Sequence, residues 1–134
     1  RQMAAQDPRS VVEAFFAAVA AGELPDSMLT ADMTGWITTQ GTVDKASYQG
    51  MIRVLARMTE GPLDFTIDAV TAQDDRIVAE AHSTGRLVNG EDYAQTYVYV
   101  FRMRDGLIAS VAEHYNALVA QEKLLPLMRE LKPS

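Results

Sequence analysis

No cysteine occurs anywhere in the 134 residues. That excludes disulfides, zinc–thiolate sites and thiol nucleophiles, and it is compatible with a reducing cytoplasm, the location we expect. Basic residues are the minority: 12 Lys and Arg face 18 Asp and Glu, a formal charge of −6. Such a balance repels phosphate backbones and anionic lipid, so neither nucleic acid nor a membrane is an expected partner. Long apolar runs are missing too. The longest, Val11 to Ala21, contains Glu13 and falls short of the roughly 20 residues a membrane helix needs. Gly-rich phosphate loops, a nucleophile elbow and a zinc-helix motif are all absent. The sequence opens on Arg1 and not on methionine, so a removed leader is compatible with it.

What remains is the composition of a folded globular chain, 48% hydrophobic and 22% charged, of a length that suits a single domain over residues 1–134. Asp7 and Pro8 read as a helix start, with Val11, Val12, Phe15, Phe16 and Val19 at helical spacing up to Gly22. A short helix at Pro25 is expected to hold Met28 and Leu29, followed by a strand from Met33 to Thr39 with the single Trp36. Asp44 caps the next predicted helix, whose stripe of Tyr48, Met51, Ile52, Leu55 and Met58 ends at Gly61-Pro62. The period then changes to two, Leu63, Phe65, Ile67 and Ala69 alternating with polar residues. Three more strands follow, divided by Asp74-Asp75, Asn89-Gly90 and Asp105-Gly106, which predicts an antiparallel meander. From Ala117 the pattern is helical again, with a kink or restart at Pro126.

Two-residue turns fix strand register. Closing Asn89-Gly90 in that way sets Val88 opposite Glu91, His82 opposite Tyr97, Glu80 opposite Tyr99 and Val78 opposite Phe101. Treating Asp105-Gly106 likewise sets His114 beside Tyr97 and Asn116 beside Gln95. One sheet face then gathers Glu80, His82, Gln95, Tyr97, Tyr99, His114 and Asn116, our candidate site. The opposite face, with Ala79, Ala81, Ser83, Val98, Val111 and Glu113, suits a homodimer interface. A β-bulge in the last strand would exchange its faces, bringing Glu113 and Tyr115 inward and sending His114 out, which makes Glu113 the reserve catalytic candidate.

A histidine in a partly dry pocket moves protons near neutrality, and a carboxylate beside it can be tuned upward. On that basis His82, oriented by Glu80, is the expected proton carrier. Tyr97 is the expected hydrogen-bond donor to an oxyanion, and His114 or Glu113 the second acid or base. Trp36, Tyr93, Tyr97 and Tyr99 could clamp a flat hydrophobic ligand, with ordinary core packing as the alternative, favoured for Phe65 and Phe101. Glu80, His82 and His114 would also make two imidazoles and a carboxylate, a set known from non-heme iron, but only two histidines exist and no metal or cofactor is expected.

The order of elements, together with Asn89-Gly90 through Tyr93, Gln95, Tyr97, Val100-Phe101, Asp105-Gly106, Ile108 and Glu113-His114-Tyr115-Asn116, resembles the nuclear transport factor 2-like superfamily. Within it, the sequence is similar to the SnoaL-like, ketosteroid isomerase-related branch. The resemblance implies an α+β fold, a cone-shaped barrel in which a curved antiparallel sheet wraps around N-terminal helices and encloses a hydrophobic pocket. It also implies a metal-free acid/base enzyme acting on a small hydrophobic carbonyl compound or epoxide, by isomerisation, aldol-type cyclisation or hydration. The alternative is a ligand-binding or dimerisation module of the same fold. In the similar limonene epoxide hydrolases an arginine and two aspartates cooperate; here those places hold Glu80, His82 and either Glu113 or His114, without the arginine. The tyrosine and aspartate used by ketosteroid isomerases are only loosely matched by Tyr48, Asp32 and Trp36. With Tyr48, Tyr93, Gln95, Tyr99, Phe101, Trp36 and Asn116, the expected ligand-contacting set is complete.

Overall fold

A computed structural model describes residues 7–131. The reading of Arg1 lies outside the described residues. Helix α1, Pro8–Ala21, begins at Pro8, whose fixed φ suits the first turn, and stops where Gly22 takes a left-handed φ of 80°. Asp7 occupies the cap position, but its carboxylate accepts from the Ser10 hydroxyl and not from a backbone N–H. After a tight turn at Asp26–Met28, strand β1 runs over Leu29–Ile37, so Leu29 belongs to the strand and not to the short helix. Strand β2, Gly41–Asp44, escapes the sequence pattern because it is only four residues long. Asp44 then caps α2, Lys45–Met58, accepting from the Ser47 N–H at 2.9 Å.

Strands β3 (Asp64–Gln73), β4 (Arg76–Arg86), β5 (Asp92–Arg104) and β6 (Leu107–Tyr115) form the predicted meander. The six-stranded sheet has the order β2-β1-β6-β5-β4-β3 and does not close on itself. One pairing departs from the antiparallel expectation: β1 lies parallel to β6, with Gly35 opposite Val111 and Ile37 opposite Glu113. Helices α1 and α2 cover the inner face, where Phe15 meets Tyr99 and Phe101 edge to face and Phe16 stacks on Phe65. No helix among the described residues is long and apolar enough to cross a membrane.

Register decides which side chains reach the interior, and both hairpins depart from simple counting. At the β4–β5 tip the Leu87 N–H donates to the Glu91 carbonyl and the Gly90 N–H to that of Leu87. The loop is therefore Val88-Asn89-Gly90, three residues long, with Gly90 left-handed at φ 88°. Ala81 consequently faces Tyr97, Ala79 faces Tyr99 and Ser83 faces Gln95, one residue off the expected pairing. At the β5–β6 tip, Asp105 and Gly106 do form a two-residue turn, both with positive φ, and Arg104 pairs with Leu107. A bulge follows at Ala109, the extra residue between Ile108, which pairs with Met103, and Ser110, which pairs with Arg102. Beyond it Tyr99 pairs with Glu113 and Tyr97 with Tyr115.

The chain ends in a helical segment over Ala117–Val119, a wide π turn over Ala120–Leu124, and α4, Leu125–Leu131. Pro126 has no N–H, and its ring would crowd the carbonyl four residues earlier in a regular helix; the wider turn just before it relieves that conflict. Gln95 anchors the start of the segment: its amide donates to the Asn116 carbonyl and accepts from the Asn116 N–H.

Candidate active site

A cavity of about 600 Å³ lies between α2, the inner sheet face and the C-terminal segment. Its floor is built from β5 and β6: Tyr93, Tyr97, Tyr99, Glu113 and Tyr115. Its walls are apolar, with Met51, Leu55 and Met58 of α2 opposite Leu124, Leu125 and Met128. This size lies within the range of small-molecule sites.

Glu113 is the only carboxylate in the lining. The backbone around it is held by Thr38, whose hydroxyl donates to the Glu113 carbonyl at 3.0 Å and accepts from the Tyr115 N–H at 3.1 Å. Its Oε1 accepts a 2.6 Å hydrogen bond from the hydroxyl of Tyr48, a side chain with 0% exposure. Burial pushes the carboxyl up to about 7, against a smaller downward pull from the Tyr48 bond. Tyr48 can enter only because position 35 has no side chain: a Cβ there would lie 2.4 Å from the Tyr48 Cδ1. Burial raises the Tyr48 and Tyr99 phenols well above their usual range, and Tyr93 to about 12, so all three remain protonated donors at neutral pH.

Further phenols complete the floor. The Tyr97 hydroxyl lies 2.7 Å from that of buried Ser83, and Tyr115 lies 2.8 Å from the Thr39 hydroxyl. Tyr99, directly across the strand pair from Glu113, has no hydrogen-bond partner among the described residues, and its hydroxyl is not sealed off. A carboxylate able to exchange a proton near neutrality thus stands beside a phenol free to donate. That pair can remove a proton from carbon while hydrogen-bonding the oxygen that becomes negative.

Several expected site residues lie elsewhere. The three-residue tip of the β4–β5 hairpin turns Glu80 and His82 to the outer face, and the Ala109 bulge does the same to His114. There the His82 Nδ1 pairs with Asp68 Oδ2 at 2.9 Å, and Asp68 reaches it because it is the extra residue of a bulge in β3. Trp36 is also outside, its ring 4.8 Å from that of His114. Asn116 caps the C-terminal helical segment through the Leu118 N–H, so it is not a cavity residue. Gln95 is buried and spent on Asn116, and Phe101 is core with 0% exposure. Glu80, His82, His114 and Asn116 do share an open depression on the outer face, but no three His, Asp or Glu side chains among the described residues gather as metal ligands. Ala79, Ala81, Ser83 and Glu113, expected outside, face inward. Of the expected site, Tyr48, Tyr93, Tyr97, Tyr99 and Glu113 come together. Reasoning from sequence missed Thr39, Gln121 and the apolar roof, although Tyr115 carried a signal in the bulge alternative.

The model of the SnoaL-like domain matches residues 12–111. No curated protein matches by sequence. Among solved structures, the chain is similar to an NTF2-like protein from Anabaena variabilis, with 21% identity, 87% of this chain and 96% of that one covered, and a TM-score of 0.73. A candidate isomerase from Bacillus subtilis shares 20% identity over 87% of this chain and 91% of its own, at a TM-score of 0.75. A candidate SnoaL-like polyketide cyclase from a Jannaschia species shares 15% over 99% and 98%, at 0.76. At these identities the structural likeness establishes the fold: a mixed α+β cone with a curved, open sheet.

Proposed function

The chain belongs to the SnoaL-like domain family, and from that premise and the geometry of its cavity we propose an acid/base enzyme acting on a small hydrophobic carbonyl compound, with Glu113 as the proton carrier. One observation carries this reading: the one carboxylate among the described residues of the lining is pushed by burial up to about 7 and stands across the strand pair from the Tyr99 phenol, which has no partner among them. Glu113 in its charged form takes a proton from the carbon next to the carbonyl. The Tyr99 hydroxyl, and that of Tyr97 when Ser83 donates to it, hydrogen-bond the enolate oxygen. Returning the proton at another carbon is isomerisation; attack of the enolate carbon on a second carbonyl of the same molecule is cyclisation. Epoxide hydration has less support, because no arginine among the described residues lines the cavity to polarise the ring oxygen. An open cavity whose polar groups project into it favours chemistry over a binding module without catalysis.

The test is proton exchange. A neutral cyclic ketone such as 2-tetralone, followed by NMR in D2O, should exchange its α-protons faster with the protein. Glu113→Gln should remove about 10²- to 10⁴-fold of that acceleration, the usual contribution of a general base. Exchange that survives the substitution sinks the assignment. We also propose that a second copy covers the outer sheet face, through Val98, Val100, Ala112 and Trp36; sedimentation as a monomer would overturn this.

A further inference from the structure

We infer that the cavity accepts uncharged molecules bearing a hydrogen-bond acceptor and turns away carboxylates, phosphates and other anions, an inference that rests on the proposed role of the same cavity.

The first observation is where the positive charges are not. Among the described residues no lysine, arginine or histidine lines the cavity, whose ionisable groups there are Glu113 and five tyrosines. Six of the ten described lysines and arginines are engaged in ion pairs away from it: Arg9 with Glu13, Lys45 with Asp26, Arg86 with Asp92, Arg102 with Asp75, Arg104 with Asp32 and Lys123 with Glu91. An anion entering the cavity would lose its hydration without meeting a counter-charge, beside a carboxylate of its own sign.

The second observation is which polar atoms are unspent. Glu113 faces Tyr48 from α2, Tyr99 and Tyr97 from β5, and Tyr115 from β6; every one is a neutral phenol. Tyr99 has no partner among the described residues, so it offers an O–H to a ligand oxygen. A ketone, ester or quinone oxygen uses that donor without bringing charge inside.

Two probes with one apolar body and different charge test this by calorimetry at pH 8: 2-acetylnaphthalene and 2-naphthoate. The ketone should bind at least about tenfold tighter than the anion, since like charges and unpaired ions are penalised in a dry site. In Glu113→Gln the naphthoate should tighten several-fold while the ketone changes little. Naphthoate binding as tightly as the ketone overturns the inference, as does failure of the ketone to bind. Such a result leaves the Glu113 exchange experiment standing, whereas loss of exchange with selectivity intact overturns only the chemistry.

Discussion

The Tyr48 hydroxyl and Glu113 Oε1 stand 2.6 Å apart, a bond made across the interior from α2 to the last strand. It is the one contact that favours the charged form of a carboxylate whose surroundings otherwise oppose charge. The working range of Glu113 is therefore set from a helix that contributes little else polar to the floor.

Removing that donor should move the titration upward. Tyr48→Phe keeps the ring and loses the bond that holds the Glu113 carboxyl down, so the rising limb of the rate against pH should shift to higher pH by about one unit. At pH 6.5 exchange should be slower than in the native protein, and at pH 9 nearly equal. A profile that does not move would show that the bond has no part in tuning the carboxylate.

Gly35 is predicted to act through Tyr48. A methyl group there would collide with the ring at 2.4 Å, so Gly35→Ala must displace Tyr48, costing about 1–3 kcal/mol of stability in denaturant titrations. It should also raise the pH limb as Tyr48→Phe does, and the combined variant should shift no further. Full stability together with a native profile would contradict the packing described.

Stability itself should depend on pH through Glu113. Its folded pKa of about 7 lies above the ordinary 4.5, so the folded chain holds the proton more tightly than the unfolded one. The corresponding stability is fully present below about pH 4.5 and is lost as pH rises through about 7, a change of about 3 kcal/mol. Glu113→Gln should lack this component, so its melting temperature should gain on the native protein between pH 5 and pH 8. Parallel melting curves across that range would contradict the placement of the carboxylate.

The imidazoles should matter little to chemistry. His82 and Asp68 form a hydrogen-bonded pair with side chains 44% and 47% exposed, worth less than about 1 kcal/mol. His82→Ala and His114→Ala should keep exchange within about twofold of native, a range set by surface substitutions. A hundredfold loss in either would return the site to the outer face.

Much of this molecule is readable from its residues. The Asp44 cap, the helix start at Pro8, the Asp105-Gly106 turn and the inward set of β5, from Tyr93 to Phe101, follow from local rules and agree with the structure. What defeats counting is a single residue. Asn-Gly is compatible with a two-residue or a three-residue loop, and the choice turns all of β4 over. Likewise no local pattern marks Ala109 as the extra residue that turns the rest of β6 over. The parallel partnership of β1 with β6 has the same character: its chemistry is long-range, so no periodicity records it. Glu113 was legible only as the outcome of such an irregularity.

The tip at Val88-Asn89-Gly90 has a consequence for how this gene can vary. Exposed hairpin tips ordinarily absorb the gain or loss of an amino acid without complaint. Here closure on Asn89-Gly90 alone, with no residue gained or lost, would pair Val88 with Glu91, rotate Glu80 and His82 into the oil of the interior and expel Ala79, Ala81 and Ser83 to water. An outwardly idle stretch of surface is thus constrained in where it turns, while its length is left comparatively free.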